Sequence, residues 1–217
     1  MIPVVIVPTL NQYEPLQRML DSIDYPVDHL IVIDNGGVCP DLRSPARRTS
    51  IVRLPANIGV ASAWNLGIKI APHASYWLIA SDDIEFIPGR LSEIPDLVPG
   101  GLVSDWSNTA PFTCFAVSEE VIDEVGLFDD YFWPGVGEDR NYQRRIRKAG
   151  LPMRCLLRFY NDPTPGATRK SLPNSDDWLF DNNSEVTSEH RGFSLRRRRY
   201  IEETYLKGGP PIHATNE

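Results

Sequence analysis

Cysteine and histidine are both scarce in this sequence of 217 residues, and each shortage removes a class of chemistry. The three cysteines, Cys39, Cys114 and Cys155, lie far apart with no CxxC spacing. An odd count closes no complete set of intramolecular disulfides and the spacing builds no zinc cluster, so reduced structural thiols in a cytoplasm are expected. The four histidines, His29, His73, His190 and His213, show no ligand spacing and read as surface or capping residues. No apolar run approaches the roughly 18 residues that a membrane-spanning helix needs. The apolar start, Met1–Leu10, lacks a basic leader and a small-residue cleavage site, so it reads as a strand rather than a signal peptide. Basic charge is not in surplus either. Lys and Arg number 22 against 29 Asp and Glu, a net charge of −7, which disfavours a globally basic nucleic-acid binder. The local exception is Arg196, Arg197, Arg198 and Arg199, either a solvated helix face or a contact for an anionic acceptor, nucleic acid or membrane surface. Walker A and GxGxxG sequences are both missing, so P-loop and dinucleotide readings are weak.

What is present fits an α/β chain. The length suits one domain with a C-terminal extension, and 41% hydrophobic residues suffice for a core. Ile2–Val7 is a continuous β-branched run, the mark of a strand buried on both faces of a parallel sheet. Leu16, Met19, Leu20 and Ile23 then follow at helical spacing. Further strands are expected at Leu30–Ile33, Ile51–Leu54 and Tyr76–Ala80, with a helix over Ile58–Ile70 capped by Asn57. Four β-loop-α repeats predict an open sheet whose ligands bind at the carboxyl ends of its strands. Pro8–Asn11, Asp34–Gly37, Asn57 and Asp82–Asp83 all fall at those ends.

The second half predicts strands at Gly101–Ser104, Phe112–Val117 and Met153–Phe159. Ser118 caps a helix that stops at Gly126, and Glu138–Ala149 forms an Arg-rich helix closed by Gly150. Residues 161–217 read as an extension of loop and terminal helix, after a domain over 1–160.

Two carboxylate pairs stand out. Asp82-Asp83 at a strand end suits a divalent ion that bridges protein and diphosphate, although turn acids have the same look. Glu138-Asp139 opens a helix beside the glycine-bearing aromatic loop Leu127–Gly137, where a general base or ordinary helix-start acidity are both consistent. Asp34 is either an acceptor for a nucleoside or the first residue of a turn with Asn35-Gly36.

The ordered set VVIVPTLN, VIDNGG, PANIGVASAWNLGI, LIASDDIEFIPG and FDDYFWPGVGEDRNYQRRIRKAG resembles the family 2 glycosyltransferases of GT-A fold, over residues 3–158. The ending RRYIEETYLKGGPP is similar to phage-encoded and bacterial members. The resemblance implies a Rossmann-like, mostly parallel sheet with a nucleotide-sugar half near 1–100 and an acceptor half near 101–160. It implies an inverting transfer of sugar from a nucleotide diphosphate, uridine being the commonest base, to an acceptor hydroxyl. Pro8, Thr9, Leu10, Asp34, Asn57, Gly59, Asn65, Ser81 and Asp82 would hold the nucleotide sugar. Asp83, with Asp82 and Asp162, would hold Mn²⁺ or Mg²⁺, and Asp139, then Glu138, would be the base. Trp106, Phe132 and Trp133 are candidate acceptor platforms, or packing aromatics. Three positions depart from the family pattern: Ser81 for Asp, Trp64 for Arg, and Phe159-Tyr160-Asn161-Asp162 where a His ligand is common. A glycan, lipid carrier, protein or modified nucleobase are all open as acceptor. A cytoplasmic or membrane-associated location follows, in the host cytoplasm if the gene is a phage's. The competing readings are a non-catalytic nucleotide-sugar or glycan-binding module and, more remotely, a sugar nucleotidyltransferase. The latter needs a Gly- and Arg-bearing loop that PTLNQYEPL lacks.

Overall fold

The computed structural model describes residues 1–106, 111–133, 135 and 137–163. The expected terminal helix and the cluster Arg196–Arg199 lie outside the described residues. In chain order the elements are β1 (Ile2–Thr9), α1 (Tyr13–Asp21), β2 (Val27–Asp34), β3 (Ala46–Arg53), α2 (Val60–Ile70), β4 (Tyr76–Ala80) and β5 (Glu85–Phe86). They continue with α3 (Ile94–Leu97), β6 (Leu102–Ser104), β7 (Cys114–Ser118), α4 (Glu119–Val125), α5 (Glu138–Lys148), β8 (Met153–Cys155) and β9 (Tyr160–Asn161).

Seven strands make one sheet in the order β3-β2-β1-β4-β7-β6-β8, and β5 pairs with β9 in a separate ribbon. β7 is antiparallel to both β4 and β6, while the other paired strands of the sheet are parallel. Six strands therefore point their carboxyl ends to one edge. The unbroken apolar run of β1 is explained by its two neighbours in depth. Val5 and Val7 join Leu16, Met19 and Leu20 of α1 in one buried cluster. Val4 and Ile6 join Ala63, Trp64 and Ile68 of α2 in the other. Each fully buried side chain of this size contributes about 1.5–3 kcal/mol, so the two layers dominate the fold's stability.

Four expectations need correction. The repeat of strand, loop and helix is incomplete, because residues 35–45 cross from β2 to β3 without a helix. Asn57 does not cap α2; Gly59 occupies that position, and the Asn57 Oδ1 accepts from the Gly59 amide at 2.9 Å in a local turn. The last predicted strand, Met153–Phe159, ends at Cys155, and beyond it Arg158 takes a positive φ of 50° and donates its amide to Asp105 Oδ2 at 2.8 Å. His29 is buried rather than on the surface. Arg48 donates to its Nδ1 at 3.0 Å, so its Nε2 carries the proton toward Ser50 Oγ, 2.9 Å away. Burial and then the Arg48 charge hold that imidazole below its ordinary pKa. As expected, Ser118 caps α4, its hydroxyl accepting from the Val121 amide at 3.4 Å.

Gly67 of α2 lies directly on β1. A Cβ there would stand 2.5 Å from Ile6 Cγ2 and 2.9 Å from its Cγ1 and Cδ1. Overpacking of this kind costs about 1–3 kcal/mol, more than the ~1 kcal/mol of helix propensity gained from alanine. Gly67→Ala should therefore lower the melting temperature by several degrees in a thermal scan, and adding Ile6→Val should restore part of the loss.

Candidate active site

The carboxyl edge of the sheet gathers the polar ends of β1, β2, β4 and β6. Thr9 pairs in register with Asp34, and the Asn35 amide donates to the Thr9 carbonyl at 2.8 Å. The β1–β4 register, with Ile6 opposite Ile79, runs on to set Thr9 beside Asp82. Pro8 and Leu10 flank Thr9 half-buried, and Ser81 donates its amide to the Thr113 carbonyl at 2.8 Å. Trp106 follows β6 onto the same edge, its indole N–H bonded to the Arg154 carbonyl at 2.9 Å.

Asp34 is fully buried and built into its own turn. Its Oδ1 accepts from the Gly36 amide and from the Tyr13 hydroxyl, both at 3.0 Å, and its Oδ2 accepts from the Cys39 amide at 2.7 Å. The turn left open by the sequence is thus the arrangement observed. Gly36 permits the close approach, since a Cβ there would fall 2.2 Å from Asn11 Oδ1 and 2.8 Å from the Tyr13 hydroxyl. Asn35 reaches the other way, its Oδ1 accepting from the Ile58 amide at 3.1 Å and fixing the approach to Gly59. Sequence reading missed Tyr13 and Asn35; no local pattern marks a tyrosine as the partner of an acid 21 positions away.

Asp82 and Asp83 are both buried at the end of β4. Burial, opposed by the Thr9 side chain and reinforced by the Asp83 charge, raises Asp82 to about 7. Its Oδ2 has no partner among the described residues. Strand β9 runs beside β5 with Asn161 opposite Glu85, and Asp162 follows directly after that pair. Among the described residues, no three His, Cys, Asp or Glu side chains form a ready-made metal group. Two adjacent buried carboxyls with an orphaned oxygen nevertheless fit a divalent ion whose remaining ligands are diphosphate oxygens and water.

The aromatic loop is tied onto α2. Asn65 donates Nδ2–H to the Phe128 carbonyl and accepts at Oδ1 from the Phe128 amide, each at 2.9 Å. Trp133 donates its indole N–H to the Asn57 carbonyl at 3.3 Å, bringing the approach to α5 onto the carboxyl edge. These contacts revise two expectations. Asn65 is buried and both ends of its amide are engaged by Phe128, so it positions the loop rather than the nucleotide. Phe132 is 1% exposed, against Tyr131, and offers no open ring face to an acceptor. Trp106 and Trp133 stay half-buried.

At the start of α5 the two acids differ sharply. Glu138 is buried, its Oε2 lacks a partner among the described residues, and burial followed by the Asp139 charge raises it to about 8. Asp139 is half-exposed and accepts at Oδ1 from the Arg140 amide at 2.7 Å.

The sequence model of glycosyl transferase family 2 matches residues 4–98, the segment that contributes β1 to β4 and the Asp82–Asp83 pair. Over that segment, somewhat under half of its length, the chain is similar to family 2 glycosyltransferases. Its GT-A fold is shared with solved structures of low identity. Staphylococcus aureus TarS superposes with a TM-score of 0.59 at 15% identity, covering 95% of this chain and 47% of that one. A TarS complex with UDP-GlcNAc gives 0.60 at 14% identity, over 95% and 72%. A Drosophila β-1,4-galactosyltransferase 7 complexed with manganese, UDP-Gal and xylobiose gives 0.55 at 15% identity, over 82% and 79%. A galactofuranosyl glycosyltransferase of Leishmania donovani is 30% identical over 109 residues, 42% of this chain and 25% of that protein. The chain thus spans a quarter of its curated relative and about half of full TarS.

Within the segment that matches the family model, Trp64 has a structural reason for standing where a cation is common. Its ring lies 5.2 Å from Phe115 and 5.0 Å from Phe128, inside the buried aromatic cluster that also holds Phe112. The raised Glu138 also yields a measurable sign. A carboxyl that binds its proton more tightly when folded stabilises the fold fully below its unfolded pKa, and that stability falls as pH rises toward 8. The melting temperature of Glu138→Gln should therefore gain on the wild type progressively between pH 5 and pH 9. A constant offset across that range would show that Glu138 titrates as in an unfolded chain.

Proposed function

We propose that the domain transfers a sugar from a nucleotide diphosphate, UDP in the first instance, to an acceptor hydroxyl with inversion at the anomeric carbon. The reading is carried by one arrangement: Asp82–Asp83 on the carboxyl edge and Glu138–Asp139 at a helix start tied to that edge through Trp133 and Asn57. Pro8, Thr9, Leu10, Asn57, Gly59 and Ser81 line the nucleotide side, and Asp34 supports it through its turn with Tyr13. Asp83, with Asp82 and with Asp162 from the segment after β9, would hold Mn²⁺ or Mg²⁺. A bound divalent ion supplies charge neutralisation to the diphosphate leaving group.

The acid assignments follow from burial. Glu138 retains its proton near neutrality, so it adds no second negative charge beside Asp139. Asp139, half-exposed at the head of α5, takes the acceptor proton as the hydroxyl attacks. Trp106 and Trp133 offer partly open rings on which an acceptor sugar can stack. No described helix is long and apolar enough to cross a membrane.

A thermal-shift panel of UDP, dTDP, GDP and CMP with and without Mn²⁺ tests the donor side. A diphosphate at 100 times its Kd should raise the melting temperature by about 5–10 °C, with the full shift requiring Mn²⁺. Asp139→Asn should keep that shift and lose transfer by about 10²-fold or more. Turnover equal to wild type would remove Asp139 as the base. Nucleotide binding without transfer in any protein would leave a non-catalytic module.

A further inference from the structure

Of the two histidines among the described residues, His73 is exposed and His29 is buried in the sheet. Alternation along β2 sets the His29 ring on the face of Ile31 and Ile33, which pack with α2. Register places Arg48 of β3 directly opposite, and Ser50 shares that face two residues on. The imidazole is held at both nitrogens, Nδ1 accepting from Arg48 Nη2 and Nε2 donating to Ser50 Oγ. One protonation state alone fits this pattern. An imidazolium carries a proton on each nitrogen, so its Nδ1–H would face an Arg48 donor, cation against cation. The surroundings offer that second charge little compensation. β1 presents apolar Val4 opposite His29, α2 carries one charged residue, the exposed Lys69, and the turn after α2 carries His73. Asp28, the neighbouring carboxylate on β2, lies on the other face and pairs with Arg47 at 3.4 Å. Burial and then the Arg48 charge, opposed by Asp28, hold His29 below its ordinary pKa.

What His29 clips in place is an outer strand. Among the described strands β3 pairs with β2 alone, so it has no second neighbour to hold it. Its far end reaches the candidate site. The Leu54 amide donates to the Asp34 carbonyl at 2.9 Å, and Arg53 donates through Nε and Nη2 to the Cys39 carbonyl at 2.9 and 2.7 Å. Cys39 in turn donates its amide to Asp34 Oδ2. β3 is thus a wall of the Asp34 turn, and moving β3 away from β2 withdraws two of that turn's supports.

We propose that His29 is an acid-sensitive latch. Its neutral ring clips β3 to β2; a proton on Nδ1 breaks the Arg48 bond, loosens β3 and slackens the Asp34 turn on the nucleotide side. The last of these steps rests on the proposed nucleotide reading of the carboxyl edge, and the latch itself does not. Linkage gives the sign. The unfolded chain takes up this proton more readily than the folded one, so the stability that His29 contributes is present above the ordinary imidazole pKa and is lost as pH falls below it. Glu138 acts in the opposite direction, so the informative readout is local to β3.

Hydrogen exchange read by mass spectrometry on the whole chain, corrected for the intrinsic effect of pH on exchange, tests the latch. From about pH 7.5 to about pH 5.5, protection over β3 should fall at least about tenfold, against less than about threefold over β4. His29→Gln keeps both bonds, its Oε1 accepting from Arg48 and its Nε2 donating to Ser50, and has nothing to titrate. Its β3 protection should fall no further than that of β4. A second variant, Arg48→Met, alters an exposed side chain and removes the opposing cation, so the His29 ring-proton titration followed by NMR should move upward from that of wild type. Equal loss over β3 and β4 in wild type, the same β3 loss in His29→Gln, or a His29 titration unmoved by Arg48→Met would each overturn the latch. UDP affinity with Mn²⁺ is measured on wild type and His29→Gln at both pH values. Wild type should lose at least about fivefold more affinity on acidification than the variant. Equal losses, with β3 loosening in wild type alone, overturn the link to the Asp34 turn. Absence of UDP binding by wild type at the higher pH refutes the nucleotide reading, and the exchange data then judge the latch by themselves.

Discussion

The two hydrogen bonds between Asn65 and the Phe128 backbone hold the site together. They join a helix of the amino-terminal half to the loop that delivers Glu138 and Asp139, across 63 residues of sequence. Buried polar groups left without partners cost about 1–3 kcal/mol each, so the pair fixes a loop whose aromatic residues alone would specify position only loosely. Around it, Phe128 stacks on Tyr142 of α5 at 4.0 Å and meets Trp64 of α2 edge-on. The directional bonds choose the geometry and the aromatic cluster supplies the burial. The distance from the Asp82–Asp83 pair to Asp139 depends on both.

A second theme is charge held out of water. Asp82 and Glu138 are each buried with one oxygen lacking a partner among the described residues, and both are pushed toward the neutral form. Such groups destabilise the fold when ionised, and the cost is offset when a cation or a substrate hydroxyl reaches them. Asp34 shows the opposite solution, an acid whose oxygens are met by Tyr13, Gly36 and Cys39 and whose work is structural.

Much of the fold was legible because the signals are local. The β-branched run of β1, the apolar run of β4, the Ser118 cap and the glycine after α5 each follow from a few adjacent residues and match the structure. The direction of β7 was not legible, since strand sense depends on pairing partners far away in sequence. Nor was β9, two residues long and defined only by its pairing with β5. Among site residues, the carboxylate pairs announced themselves by adjacency at element ends. The true surroundings of Asn65 and Phe132 did not, because an amide looks the same whether it meets a ligand or a loop. A phenylalanine in a glycine-bearing loop likewise gives no sign of which way its ring turns.

The sheet's two outer strands have a bearing on how copies of the chain meet one another. β3 is long enough to template a further strand, but Arg47, Arg48 and Thr49 are exposed along it, with Arg47 3.4 Å from Asp28. An incoming identical strand would set like charges side by side in the ladder. β8, at the opposite edge, is three residues long and supports too few bonds to seed anything. Repulsion guards one border and brevity the other, so the hydrogen-bonding potential of a seven-stranded sheet is not offered for open-ended stacking into aggregates.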